Sequence, residues 1–161
     1  FYRFDVLVDY GAFRDLQRHR MMTVAWQQLC PYHGYTRPEL VDAAGMTDRF
    51  DDAMERSASL HAALAEDFPH QAPYAVSLAY KIRFSLNMNA REAMHMLELR
   101  TTPAGHPAYR QVCQEMHRLI ADEAGHPAIA EMMKYVDHSP ETDLERLQSE
   151  RRSEERRQQL S

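Results

Sequence analysis

Glycine is scarce in this chain. Its five glycines, Gly11, Gly34, Gly45, Gly105 and Gly125, stand apart from one another. No glycine-rich loop is therefore present to cradle a phosphate, which excludes the Rossmann and P-loop readings. No Gly-x-Ser-x-Gly elbow presents a serine nucleophile. The two cysteines, Cys30 and Cys113, form no disulfide framework. Buried thiols in a reducing, cytoplasmic compartment are expected of them. Nine histidines are many, yet none falls in a His-Glu-x-x-His spacing and no paired-cysteine spacing occurs, so no metal site is predicted. No apolar run approaches a membrane span and no secretory signal is recognisable, so no membrane partner is expected. Lysine is limited to Lys81 and Lys134, the other basic residues being arginine. The net charge of −5 argues against broad nucleic-acid binding, which needs a basic surface, but leaves room for a local cationic pocket.

What is present reads as one α+β domain. A chain of 161 residues with 44% apolar and 27% charged residues can bury a proper core. Tyr2, Phe4, Val6 and Val8 alternate with Arg3, Asp5 and Asp9, the period of a strand. The chain begins at Phe1 directly in that pattern, so a preceding N-terminal portion is expected. Residues 12–28 read as a helix with Phe13, Leu16, Met21, Val24 and Ala25 available for burial. Residues 30–35 form a loop, and a short helix fits 38–44. Thr47 is the expected N-cap of a long helix to about Phe68, with Phe50, Met54, Ala58, Leu64, Ala65 and Phe68 as its apolar stripe. Tyr80, Ile82, Phe84, Leu86 and Met88 alternate with polar residues in the clearest strand of the sequence. Asn89 can cap a helix to about Arg100. Pro107 and Pro127 open two more helices, to about Glu123 and Val136. Residues 1–138 are thus expected to form the domain, with 139–161 a charged, solvated helical or frayed tail. The predicted fold class is α+β, a mixed sheet of at least two strands covered by helices.

Two motifs carry chemistry. The run Arg18-His19-Arg20 places two guanidinium groups around an imidazole. Downstream, Asn89-Ala90-Arg91-Glu92-Ala93-Met94-His95-Met96-Leu97-Glu98-Leu99-Arg100 puts Arg91 and His95 four residues apart on one helical face, with Glu98 three further on. Arginine suits a planar anionic ligand because its fork binds phosphate bidentately and its plane stacks on flat rings. A solvated helix face is the competing reading of each motif alone. Cys30 lies near His19 and His33 in sequence, but a structural thiol is the expectation for it.

Arg18-His19-Arg20, followed by Asn89-x-Arg91 and Leu97-Glu98-Leu99-Arg100, resembles the flavin-dependent thymidylate synthases over about residues 1–136. The resemblance implies a homotetramer with FAD between subunits, or a pairing with the missing N-terminal portion. It implies reductive methylation of dUMP to dTMP, with methylenetetrahydrofolate as carbon donor and NADPH as reductant. Carried over by position, Arg18, His19, Arg20, Asn89, Arg91 and His95 would contact FAD. Arg18, Gln28 and Arg100 would face the small-molecule nucleotide, Arg100 at its pyrimidine. An arginine there suits negative charge developing on the ring.

The sequence departs from the family pattern on the nucleotide side. The family has a glutamate, a serine and an arginine where this chain has Trp26, Gln28 and Cys30, and a phosphate-binding arginine expected near Pro73 is absent. A flavin site with an altered nucleotide site is the resulting expectation. The alternative is a non-catalytic copy that binds flavin or only stabilises an assembly, such as the C-terminal half of a duplicated longer chain.

Overall fold

The computed structural model describes residues 1–140 and 145–159. In chain order these form β1 (Tyr2–Asp9), α1 (Tyr10–Leu16), β2 (Met22–Trp26), α2 (Glu39–Ala43), α3 (Thr47–Asp67), β3 (Lys81–Met88), α4 (Ala90–Arg100), α5 (Pro107–Ala121), α6 (Pro127–Met132) and α7 (Glu145–Gln159). Two single 3-10 turns lie at Pro31–His33 and Ala72–Ala75. The class is α+β. The three strands pair in the order β1-β3-β2, and they run antiparallel rather than mixed. Strand alternation explains the sheet's faces: Tyr2, Phe4 and Val6 are buried and so are Ile82, Phe84, Leu86 and Met88, while Arg3, Asp5, Leu7, Arg83 and Asn87 are exposed.

The helix expected over residues 12–28 is a correction. It stops at Leu16, and residues 22–26 form a strand instead. Thr23 and Val24 are β-branched and fit a pleated neighbour better than a helix. β3 offers that neighbour, and Gln27 N–H donates to the Arg83 carbonyl just past the strand end (3.0 Å). Arg18-His19-Arg20 therefore lies in the turn between α1 and β2, not at a helix end. Local apolar spacing suggested helix; sheet pairing overrode it.

The described chain forms two compact units. One comprises residues 5–18 and 24–86. Asp9 caps α1 by accepting from Ala12 N–H (2.8 Å), and the Phe13 ring packs 4.6 Å from that of Phe84. Met54, Val76 and Tyr80 centre a second apolar cluster with Tyr35, Phe50 and Ala58. The Tyr80 hydroxyl donates to the Met54 carbonyl (2.6 Å), which ties β3 to α3. The α3 stripe was read with one polar member missing and one apolar member too many: His61 is buried and Phe68 is exposed. Thr47 is the first helical residue rather than the cap. Its hydroxyl donates to Asp42 (2.6 Å), so it closes α2 onto α3. Arg37 grips Asp51 through two contacts of 2.8 Å, and Tyr35 donates to the same carboxylate (2.7 Å). These bonds hold the Asp51 carboxyl below its usual range.

The other unit comprises residues 1–4, 19–23 and 87–161. Asn89 caps α4 as expected, its side-chain oxygen accepting from Glu92 N–H (2.9 Å). α5 packs against α4 and α6, burying Ala93, Met96 and Leu97 of α4 with Cys113, Met116 and Ile120 of α5. Burial pushes the Cys113 thiol up to about 12, which makes it an inert core group. Gly125 sits at φ +66°, a left-handed position that turns the chain between α5 and α6. α7 is polar on every described side chain, all of them exposed.

A buried imidazole between two ends of one helix

The site is built on α4. The N-cap at Asn89 sets the start of the helix and the phase of every residue after it. Arg91 and His95 are both exposed, and their four-residue spacing puts them on one face of the helix. Glu92 points the other way and is 6% exposed. It meets His19, which is 7% exposed: the imidazole Nδ1 lies 3.1 Å from the Glu92 carboxylate. From the last residue of α4, the Arg100 Nε–H donates to His19 Nε2 (3.1 Å). The Arg100 guanidinium also lies over the Tyr109 ring of α5, 5.5 Å from its centroid. The His95 ring meets that of His19 edge-on at 5.4 Å.

These contacts assign the His19 tautomer. A guanidinium N–H can only donate, so Nε2 accepts and the single ring proton sits on Nδ1, facing Glu92. Burial, then the Arg100 charge, hold the His19 pKa below its ordinary value against the opposing pull of Glu92. The Glu92–His19 contact is thus a hydrogen bond from a neutral ring rather than an ion pair.

The other sequence-predicted residues are placed as follows. Arg20 and Arg91 are exposed, and among the described residues neither side chain has a hydrogen-bond or ion-pair partner. Arg18 belongs to the first unit, where it is exposed and lies 3.5 Å from Asp15. Gln28 is in that unit too and donates to the Pro69 carbonyl (3.2 Å). Trp26 is exposed over half its surface and its ring lies 5.9 Å from Phe13. Cys30 is half-buried. Glu98 accepts from Tyr135 N–H (3.2 Å). The structure thus gathers His19, Arg100 and His95 at one place, with Glu92 as an added member. Sequence reading passed over Glu92. Its signal was the Asn-x-x-Glu spacing of a capping box, in which the carboxylate normally turns back to the cap.

A second imidazole pair lies in the same unit. His117 Nε2–H donates to the Ala130 carbonyl (3.0 Å), leaving Nδ1 to accept from His138 Nε2–H (2.9 Å). Burial, His117 and Arg118 lower the His138 pKa, against the raising effect of Asp137. The direction matches His19, so the linkage has one sign. The unfolded chain takes up protons first, and the stability present above the ordinary histidine value of 6.5 is lost on acidification. The melting temperature is expected to hold between about pH 8 and 7 and to fall below about pH 6.5, above the range where carboxylates titrate. His138→Gln is expected to flatten part of that fall. A profile flat down to about pH 5 would contradict the neutral-ring assignments.

Among the described residues no group of three or more histidine, cysteine or acidic side chains is placed to hold a metal. No helix among them is long and apolar enough to cross a membrane.

Comparison with known proteins adds a family. Residues 1–127 match the family model described as thymidylate synthase complementing protein. The chain is 40% identical over 151 residues to a UPF0159 protein of Chlamydia muridarum, covering 94% of this chain and 28% of that protein. The UPF0159 protein of Chlamydia pneumoniae is likewise 40% identical, over 152 residues, with the same coverage. A UPF0159 protein of Thermoplasma acidophilum is 32% identical over 138 residues, covering 84% of this chain and 27% of that protein. The chain spans little more than a quarter of the length of these relatives.

Proposed function

The chain belongs to the thymidylate synthase complementing protein family, and from this premise we propose that it is a flavin-site domain of a flavin-dependent thymidylate synthase-like protein with an altered nucleotide site. The observation that carries the proposal is two exposed guanidinium groups, Arg20 and Arg91, without a partner among the described residues and each next in sequence to a member of the buried His19–Glu92 pair. The donor set fits FAD: guanidinium groups match its phosphates in charge and geometry. In this reading Arg18, Arg20, Arg91 and His95 hold FAD and Asn89 supports them by capping α4. His19 has both ring nitrogens engaged and serves by holding α4 and Arg100. Arg100 faces the pyrimidine of a nucleotide. FAD, when bound, supplies the hydride-carrying centre for reductive methylation of dUMP with methylenetetrahydrofolate and NADPH. The protein supplies anion binding and orientation.

The family reading also covers the assembly, a homo-oligomer or a pairing with further segments of a longer chain, working in the cytoplasm. In this reading residues 1–138 are the cofactor-binding domain, and the described helix α7 lies beyond it. A second reading, a non-catalytic flavin-binding or structural copy, is favoured by Trp26, Gln28 and Cys30. None of these uncharged side chains replaces the carboxylate or guanidinium of the family pattern.

Absorbance decides first: purified protein is expected to carry a flavin band. Arg91→Ala is expected to weaken FAD binding by about 1.5–3 kcal/mol, or roughly 10- to 150-fold, through loss of a charge-assisted contact. Titration of the apo protein by flavin fluorescence quenching reads this directly. Unchanged affinity removes Arg91 from the site, and a colourless protein that does not quench FAD removes the cofactor.

A further inference from the structure

We infer that Glu92 is a positioning residue that sets the direction of the Arg100 side chain through the His19 ring. The role of Arg100 toward a nucleotide rests on the function proposed above; the relay itself rests on geometry alone.

Glu92 is the third residue of α4, where a carboxylate ordinarily caps the helix or faces its positive end in water. Asn89 already performs the capping, since its side chain accepts from Glu92 N–H (2.9 Å). The Glu92 carboxylate is left free to turn inward, and it does so at 6% exposure. Burying a carboxylate is costly unless it gains a strong donor, and the donor is His19 Nδ1–H at 3.1 Å. An imidazole carries one proton when neutral, so fixing it on Nδ1 leaves a lone pair on Nε2. That lone pair receives Arg100 Nε–H at 3.1 Å. His19 thereby bridges the first turn of α4 to its last residue.

The chain of effects has a direction. Without an acceptor at residue 92, a proton on Nδ1 is buried with no partner, and the Arg100 N–H alone opposes its move to Nε2. The Nε2–H tautomer then places N–H against N–H at Arg100 and expels the guanidinium from its position. A second proton on His19 has the same consequence. The charged and titratable groups that face the ring or its partner are Glu92, His95 and Arg100 from α4, and Tyr109 and Cys113 from α5. Among these Glu92 is the acceptor bonded to Nδ1. The same-helix neighbour His95 touches His19 only by a ring edge.

Nitrogen-15 NMR of the histidine rings tests this. In the unaltered chain His19 is expected as the Nδ1–H tautomer, with Arg100 Nε–H slow to exchange with solvent. Glu92→Ala is expected to abolish the Nδ1–H signature and speed exchange of Arg100 Nε–H at least about tenfold. Glu92→Gln keeps an acceptor but removes the charge, so it is expected to retain the tautomer and the slow proton while lowering the His19 titration midpoint. A variant that is merely destabilised does not produce this split. The Nε2–H tautomer in the unaltered chain, or an unmoved tautomer and exchange rate in Glu92→Ala, overturns the inference. Should Glu92→Ala fail to fold, Glu92→Gln decides: an unshifted His19 titration overturns it. Flavin absorbance is read on the same samples. Colourless protein that does not quench FAD but keeps a slow Arg100 Nε–H removes the cofactor reading and keeps the relay, whereas flavin-loaded protein with no tautomer preference does the reverse.

Discussion

Replacing Arg110 with alanine is expected to lower the free energy of unfolding by about 3–4 kcal/mol. Arg110 is 2% exposed, and its contacts hold one corner of the second unit together. Its Nε–H donates to the Thr101 carbonyl at the end of α4 (2.9 Å), an orphan group of the kind every helix C-terminus leaves. Its terminal nitrogen reaches the Ser139 hydroxyl (3.3 Å) and lies 3.7 Å from the Asp137 carboxylate. Thr101 is fully buried; its hydroxyl donates to the Leu97 carbonyl (2.7 Å) and accepts from Asp137 N–H (2.9 Å). Gln114 donates to the Asp137 carbonyl (2.9 Å). Hydrogen bonds to Ser139, with the nearby Arg110 charge, hold the Asp137 carboxyl below its usual range.

Removal of Arg110 strands the Thr101 carbonyl without solvent, leaves a void, and strips Asp137 of its counter-charge. The first two effects carry most of the loss, because the Asp137 side chain is 29% exposed and water screens the ion pair. Arg110→Met refills most of the void and isolates the polar part, at about 1–3 kcal/mol. Equilibrium unfolding in urea reads both variants. A loss under about 1 kcal/mol for Arg110→Ala would show that the corner relaxes around the missing side chain.

The second large effect concerns the nucleotide. dUMP is expected to bind this chain at least about 100-fold more weakly than the variant combining Trp26→Glu, Gln28→Ser and Cys30→Arg. Hydrogen bonds to charged groups contribute about 1.5–3 kcal/mol each, and two such groups are restored in the variant. Neighbouring sites do not add simply, which sets the expected ratio near this lower bound. In the present chain an indole has no acceptor and a thiol cannot clamp a phosphate. The Trp26 ring is packed near Phe13 and the Gln28 amide is occupied by the Pro69 carbonyl. Calorimetric titration with dUMP checks the difference. Conversion of dUMP to dTMP by this chain alone, with methylenetetrahydrofolate and NADPH, is expected to be weak or absent. Equal dUMP affinities, or robust turnover, would show that other groups carry nucleotide recognition.

Much of the fold was legible because its signals are local. The period-two alternation of residues 80–88 and the Asn89 cap located β3 and α4 to within a residue. Proline at 107 and 127 marked the starts of α5 and α6. β2 was not legible, because Met21, Val24 and Ala25 satisfy a helical stripe as well as a strand, and pairing with a strand some sixty residues away decides between them. The capping role of Thr47 was misplaced for a related reason: the hydroxyl had a competing partner in Asp42 that local rules do not weigh.

The candidate site divides along the same line. Sequence by itself determined which residue types are available: arginines around His19, and Arg91 with His95 on one helical face, since a spacing of four fixes a shared face in any α-helix. Only the tertiary structure decided which of them are occupied. His19 carries the same imidazole as His95, yet one is buried with both nitrogens engaged and the other is exposed. Glu92 and Arg110 carry no local sequence signal that separates them from the exposed charges, and both are buried in the fold. The physical reason is that burial and tautomer depend on what packs against a side chain. For His19 that is Glu92 and Arg100, 73 and 81 residues away along the chain.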